Sequence, residues 1–353
     1  MFKELSINNF RSIKNVKMKN FGDINIVTGG NGSGKSTILE ALFLNAGGGN
    51  PALAITLNGL RGDDELSHEN DLVFHSIFYN FDAKEEISIN ANFINPNDKL
   101  YTRNLKITPR LKQKQSMDET GIDVFLNGLD FKFSNKLVNS KKEKISKNFI
   151  YFGDDVIKNP FEKSNVNTKD IVSCRFISPL TPAIRDISGR ITSIIMDKQD
   201  DSIVNILKEI DPRITKITTI SEKGRNQIYV DINLKKLMSS TYMGGGFLRL
   251  LNLAITLAND KIVLVDEIEN GLHYTVHIPL IEFIFDTVKK LKRQVFITTH
   301  SEEFLEKFIY VMKKNEDISV SAYRCFRQEE SMGVNIYSEE ELGLKEQLNI
   351  ELR

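Results

Sequence analysis

Residues 29–37 read GGNGSGKST, that is Gly29-Gly30-Asn31-Gly32-Ser33-Gly34-Lys35-Ser36-Thr37. A glycine, four residues, then glycine, lysine and serine is a spacing whose flanks decide what it can be. Before it stands an apolar run, Ile24-Asn25-Ile26-Val27. After it, Ile38, Leu39, Leu42 and Phe43 recur at helical spacing. Strand, glycine loop and helix together form the setting that a phosphate-binding loop requires. Glycines let backbone N–H groups turn inward around an anion, and the helix N-terminus adds partial positive charge. In such a loop Gly29, Asn31, Gly32, Ser33, Gly34 and Thr37 line the phosphates. Lys35 reaches the β- and γ-phosphates, and Ser36 ligates Mg2+.

Further along, Lys261-Ile262-Val263-Leu264-Val265-Asp266-Glu267 is a continuous apolar strand ending in two acids. Acids at the carboxyl end of a buried strand sit where open α/β sheets bind ligands. Asp266 is expected to hold the Mg2+, directly or through water. Glu267 is expected to act as the base on the attacking water, because hydrolysis needs a proton acceptor in line with the γ-phosphate. A helix follows, with Ile278, Ile281, Phe285 and Val288 on one face. Then comes a second buried strand, Gln294-Val295-Phe296-Ile297-Thr298-Thr299-His300-Ser301. One helix-length after the acids, His300 should emerge beside them in a parallel sheet and contact the γ-phosphate. Ser301 is placed to cap the next helix. Gly244, Gly245 and Gly246, in Tyr242-Met243-Gly244-Gly245-Gly246-Phe247-Leu248-Arg249, open an apolar helix and offer a second anion-binding backbone. His68, His75, His273 and His277 receive no catalytic or metal role. The last two are four residues apart but lack the intervening acid of a zinc-binding helix.

The chain has 353 residues, with 47 Lys or Arg against 47 Asp or Glu. Zero formal charge gives no global argument for nucleic acid or membrane. Cys174 and Cys325 fit no metal or redox spacing and read as buried thiols of a reducing cytoplasm. The N-terminus shows no apolar signal core, and no run approaches the ~20 apolar residues of a membrane span. Residues 2–27 read as two strands, Arg11 opening the turn between them, ahead of the apolar run that enters the loop. Leu72–Tyr79 and Ile87–Phe93 read as a hairpin. Residues 98–148 carry 12 Lys or Arg against 6 Asp or Glu. They read as a solvated, partly disordered insertion, or alternatively as a phosphate-backbone contact surface. Helices are expected near 183–196 and 201–210, and a hairpin over 214–232. A helix follows His300, then strands at Ile318–Phe326 and Gly333–Tyr337. Ser338 and Glu341 form the capping box of a last helix.

With these parts in order, the sequence resembles the ABC-type ATPase heads of the SMC, RecF and OLD group. The motifs that carry the resemblance are INNFRSIKNV near the N-terminus, the loop Gly29–Ser36, YMGGGFLR, IVLVDE, ENGLH and TTHS. The run DEIENGLH is most like the stand-alone, OLD-like AAA ATPases of bacterial defence systems. The resemblance implies an α/β fold: a mixed, mainly parallel core sheet, an antiparallel β subdomain and a helical signature subdomain. It implies a single head over 1–353. Its parts are an N-terminal lobe (1–97), the basic insertion (98–170), a helical and hairpin region with the signature (171–260), and a C-terminal lobe (261–353).

The resemblance also implies ATP and Mg2+ as cofactors, and slow ATP hydrolysis. Two heads sandwich two nucleotides, with the glycines 244–246 of one head on the phosphate of the other and Arg11 near the nucleotide. Met243 and Gly244 stand where the group has a signature serine. Coiled-coil arms, a zinc hook and an appended nuclease are not found in this sequence. A regulatory ATPase controlling a separate nuclease or toxin, as in anti-phage defence, is therefore expected. The alternative is a DNA-repair ATPase that binds DNA directly. The INNFRSIKNV opening argues against a transporter subunit.

Overall fold

The computed structural model describes residues 1–62, 72–115, 122–153, 156–158, 170–180, 187–222, 225–328 and 331–343. The chain begins with β1 (Phe2–Phe10), β2 (Ile13–Lys19) and β3 (Ile24–Gly29). Helices α1 (Lys35–Ala46), α2 (Ala52–Gly59) and the short α3 (Leu72–His75) follow. Next come β4 (Ile87–Ile94), β5 (Leu100–Gln115), β6 (Ile122–Leu137), β7 (Glu143–Gly153), β8 (Val156–Lys158) and β9 (Cys174–Ile177). The middle holds α4 (Ile187–Met196), α5 (Asp200–Leu207), β10 (Lys216–Glu222), β11 (Arg225–Asp231), β12 (Met238–Ser239) and α6 (Gly245–Asn259). The last part is β13 (Ile262–Val265), α7 (His277–Leu291), β14 (Gln294–Thr298), α8 (Glu302–Met312), β15 (Val320–Gln328), β16 (Ser331–Ser338) and α9 (Glu339–Gly343).

A six-stranded sheet in the order β16-β15-β3-β14-β13-β9 lies at the centre. Its strands are parallel except β16, which returns antiparallel against β15. The parallel strands are short and apolar because both faces are covered. Side chains alternate between two cores. Ile262, Leu264 and Phe296 face one; Val263, Val265, Val295 and Ile297 face the other. Fully burying each such side chain contributes about 1.5–3 kcal/mol. On the first face lie α1 and a seven-stranded antiparallel sheet, β2-β1-β4-β5-β6-β7-β8. Helix α1 is thus packed between two sheets and is buried on nearly every side. On the second face lie α4 to α8 and the small sheet β10-β11-β12. The expected architecture of a mainly parallel core, an antiparallel subdomain and a helical signature region is therefore present.

Two expectations change. Residues 72–75 are helical, and Phe78 makes only an isolated bridge to Phe10. Val73, Phe74, Ile77 and Phe78 are all buried, at the i, i+1, i+4, i+5 spacing of a helical face rather than of a strand. The described residues of the stretch read as a solvated insertion, 98–115 and 122–148, are instead strands and their turns. β5, β6 and β7 continue the ladder from β4. Leu105, Ile107, Phe131, Phe133, Ile150 and Phe152 point inward while the lysines point out. Arg103 of β5 is also on the inner side. Its guanidinium donates to the carbonyls of Asn45 (2.8 Å) and Asp170 (2.9 Å) and stands over the Phe133 ring. A cation at the carbonyl end of α1 suits the helix dipole. Burial still pushes its pKa down to about 10.

The expected hairpin forms as β10–β11; Gly224, expected in its turn, lies outside the described residues. The Ser338–Glu341 capping box forms: Ser338 N–H donates to Glu341 Oε2 at 2.7 Å, and Glu341 N–H to Ser338 Oγ at 3.3 Å. Cys325 is buried and Cys174 partly so; burial raises both thiol pKa values, that of Cys325 to about 12. Among the described residues no helix is long and apolar enough to cross a membrane.

His277, at the start of α7, is buried with neither ring nitrogen hydrogen-bonded. It packs edge-on against Phe304. Burial, aided by Lys307, lowers its pKa below the ordinary 6.5. The unfolded chain therefore binds the proton more readily than the folded one. Stability is full above 6.5 and falls as pH drops through that value. Replacing His277 by Leu is expected to flatten this decline in thermal unfolding measured between neutral and mildly acidic pH.

Candidate functional site

The loop after β3 is built by its glycines. Gly29, Gly32 and Gly34 have φ of 131°, 72° and 95°, conformations that a side chain penalises. A Cβ on Gly29 would stand 2.1 Å from the Cys325 carbonyl oxygen, so the loop also lies tight against β15. Above Gly30 and Gly32 the space is open. Lys35 opens α1 and is buried; its Nζ donates to the carbonyls of Gly29 (2.7 Å) and Gly30 (2.9 Å). Desolvation lowers its pKa, against the pull of Cys325, Asp266, Glu267 and Glu269. The first turn of α1 holds no acid, and the buried Ser33 hydroxyl has no hydrogen-bond partner. Open backbone, a helix start, a buried ammonium and an unpartnered hydroxyl fit a polyphosphate. Asn31 is exposed and Ser36 half-buried. Thr37 is buried, its hydroxyl 2.9 Å from Ser12 Oγ.

The strand order sets β14 between β3 and β13, all parallel and in step at their carboxyl ends. His300 thus leaves the sheet between the glycine loop and the acids. Asp266 is buried, and its Oδ1 accepts the Thr298 hydroxyl at 2.6 Å. The same hydroxyl oxygen accepts the Glu267 N–H at 2.8 Å. Glu267 has φ of 47°, a left-handed conformation that costs a non-glycine residue about 1–3 kcal/mol and recurs at functional sites. Arg249 of α6 donates to the carbonyls of Asp266 (3.1 Å) and Glu267 (2.6 Å). Glu269 Oε1 accepts the His300 N–H at 3.1 Å. Ser301 caps α8, its side chain accepting the Phe304 N–H at 3.1 Å.

Gly244 has φ of 88°, and no atom lies within 4 Å of a Cβ placed on Gly244 or Gly245. The N-terminus of α6 therefore opens outward. Gly246 abuts the Gly271 carbonyl in the turn after the acids. None of the three lines the cavity of about 430 Å3 beside the phosphate loop.

A family model described as "AAA domain, putative AbiEii toxin, Type IV TA system" matches residues 24–306. The chain belongs to this AAA family. The match runs from β3 through the glycine loop to His300 and into α8. Membership and the built phosphate loop together make the chain an ATPase. It is also similar to an ATP/GTP phosphatase of Helicobacter pylori, 25% identical over 362 residues covering 94% of this chain and 93% of that one. Its fold is similar to that of an Smc head bound to the C-terminal winged-helix domain of ScpA, with a TM-score of 0.57, 16% identity and 99% of each chain covered. The Smc head with an extended coiled coil, bound to the C-terminal domain of ScpA from Pyrococcus furiosus, gives a TM-score of 0.57 at 13% identity, again over 99% of each chain.

Arg11 of this ATPase lies beside the loop, its guanidinium held by α1 and α2. It pairs with Glu40 at 2.7 Å and donates to Asn58 Oδ1 at 2.9 Å. Arg61 takes the other side of Glu40, Nε to Oε1 at 2.6 Å. Arg11 and Arg61 line the cavity with Gly32, Ser33, Phe78, Phe81 and Arg327. Sequence reading passed over Glu40, Arg61, Thr298, Arg249 and Glu269. Thr298, Arg249 and Glu269 stand inside motifs that were recognised, so adjacency to those motifs was the available signal. Glu40 on α1 is 2% exposed between its two arginines. Glu40→Ala is expected to destabilise the protein by about 3 kcal/mol, because it strands a buried guanidinium. Urea unfolding measures this, and Glu40→Ala unfolding at the wild-type midpoint would place the pair among the neutral ones.

Proposed function

We propose that this ATPase is a nucleotide-driven switch in which two copies close around Mg-ATP and control a separate effector. The outward-facing glycine bend of α6 carries the reading. Its chain's own phosphate loop does not use it, so a second copy is the natural source of the phosphate that it would hold. In the closed pair Lys35 and the amides of the loop hold the β- and γ-phosphates. The cavity with Phe78, Phe81 and Arg61 receives base and ribose. Ser36 and Asp266 would hold Mg2+ with phosphate oxygens and water, as suits an ion that keeps few protein ligands. The ion would neutralise charge on the transferred phosphoryl group. Glu267 accepts the proton of the attacking water, and His300 contacts the γ-phosphate. ATP favours the closed pair and hydrolysis releases part of that contact.

Light scattering tests the closure. With Mg2+ and a non-hydrolysable ATP analogue the mass is expected to double, and a mass that stays at one chain sinks the reading. The effector is proposed to be a nuclease or toxin in anti-phage defence. The family description, with its toxin and Type IV TA system, supports this. So do the Smc heads that hold a ScpA domain. Co-expression with adjacent reading frames tests it. Growth arrest that responds to the wild type but not to Lys35→Ala supports control, and indifference to the ATPase counts against it.

A specific surface favours a second reading, direct DNA binding. Residues 132–147 hold six lysines and one acid, Glu143. The register sets Lys132 opposite both Lys106 and Lys147. Like charges directly opposite are destabilising, and a phosphate backbone would relieve them. On this reading, changing Lys141, Lys142 and Lys144 to Glu reduces DNA-stimulated hydrolysis. It also lowers the salt slope of binding by about 0.9 for each phosphate that is no longer neutralised. Hydrolysis indifferent to DNA removes the reading.

A further inference from the structure

The turn after β13 carries an acid for which the proposed hydrolysis has so far found no use. Glu269 lies two residues beyond Glu267, and its side chain is 11% exposed. The turn is closed by Asn270 N–H donating to the Glu267 carbonyl (3.0 Å) and Leu272 N–H to the Glu269 carbonyl (3.1 Å). It is tied to β14 by Ile268 N–H donating to the Thr298 carbonyl at 3.2 Å. Glu269 is thereby aimed at the segment that leaves β14.

A single oxygen makes two contacts there. Oε1 accepts the backbone N–H of His300 at 3.1 Å and stands 3.3 Å from its ring Nδ1. The second oxygen, Oε2, is buried without a hydrogen-bond partner. A helix cap or a backbone tether needs one acceptor and no charge, and an unpartnered buried carboxylate oxygen is costly. Asparagine-like chemistry would serve that structural purpose better. A carboxylate on Nδ1 accepts its N–H and turns Nε2 outward, as a neutral acceptor also would, and it alone adds a negative charge that can balance a protonated ring. The distinction matters for a phosphate. The neutral ring in this tautomer offers Nε2 only as a lone pair, which repels a phosphate oxygen. The imidazolium offers an N–H and a positive charge.

We propose that Glu269 is a positioning residue for ATP hydrolysis: it holds the His300 ring with Nε2 towards the γ-phosphate and balances the imidazolium that donates to it. The proposal rests on the reading of His300 given above. It also fixes base and switch histidine to one turn, since the segment that carries Glu269 begins at Glu267.

The test is a double-mutant cycle on steady-state ATP hydrolysis. Glu269→Gln keeps the size and the acceptor oxygen and loses only the charge. It is expected to lower kcat about tenfold, in the range seen when the partner that orients a functional imidazole is removed. KM for ATP and the thermal midpoint are expected to stay at wild-type values. In a His300→Ala background the same change is expected to have no further effect on kcat. Full, additive slowing in that background would overturn the proposal, as would a Glu269→Gln enzyme with wild-type kcat. If His300→Ala alone turns over ATP at the wild-type rate, the role given to His300 falls first, and that of Glu269 with it.

Discussion

Lys35→Ala is expected to weaken ATP binding by roughly 100-fold or more, read by calorimetry, with the fold intact. Hydrogen bonds to charged groups contribute about 1.5–3 kcal/mol each, and in the proposed function Lys35 makes them to two phosphates. The loop itself shows why the effect should be large. The ammonium is buried and donates to the carbonyls of Gly29 and Gly30, which hold it under the open side of the loop. Its burial is a cost, visible in the lowered pKa, and a triphosphate offsets that cost by bringing negative charge to it. Without the ammonium, the N–H groups of the loop and the start of α1 still face the ligand, so weak residual binding is compatible with the reading. Lys35→Arg is the informative companion. A guanidinium keeps the charge but is broader, and the loop backbone leaves it little room beside Gly29, which is already pressed against Cys325. Unchanged affinity in Lys35→Ala would remove the lysine from the site and, with it, the assignment of this loop to the phosphates.

Much of the site could be read from the sequence because its strands are buried on both faces. Runs such as Ile262–Val265 and Gln294–Thr298 are buried without interruption, and the residues just beyond each run fall at the ligand edge of the sheet. The parallel pairing of β13 and β14 then places His300 next to the acids with no further information. The antiparallel sheet was harder to read because one of its faces is wet. Leu105 and Ile107 in β5, and Phe131 and Phe133 in β6, keep a two-residue period. Lysines on the other face dominate the composition and suggested disorder instead. Charge density reports the exposed face, whereas the period reports the fold. The contacts that stiffen the site were illegible for a different reason. Thr298 with Asp266, Arg249 with Glu267 and Glu40 with Arg11 join residues that are far apart in sequence. A polar side chain beside a motif shows neither which partner it will meet nor whether it will be buried.

Glu267→Gln is expected to bind ATP normally, to hydrolyse it roughly 100- to 10,000-fold more slowly, and to accumulate as a dimer. The substitution is nearly isosteric, and the parts of Glu267 that shape the turn are in its backbone. Its N–H donates to Thr298 Oγ1 and its carbonyl accepts from Arg249. These two contacts support the left-handed conformation at φ of 47°, so the turn should survive the loss of charge. What Gln cannot do is accept a proton from water. ATP then stays intact, and if the γ-phosphate favours the closed pair as proposed, the equilibrium rests on the closed side. Light scattering with Mg-ATP should show twice the monomer mass for Glu267→Gln under conditions where the wild type, turning over, returns to monomer. Two results would count against this account, and they separate its parts. A mutant that hydrolyses at the wild-type rate removes Glu267 as the base. A mutant that retains ATP yet stays monomeric leaves the chemistry standing and removes the second copy.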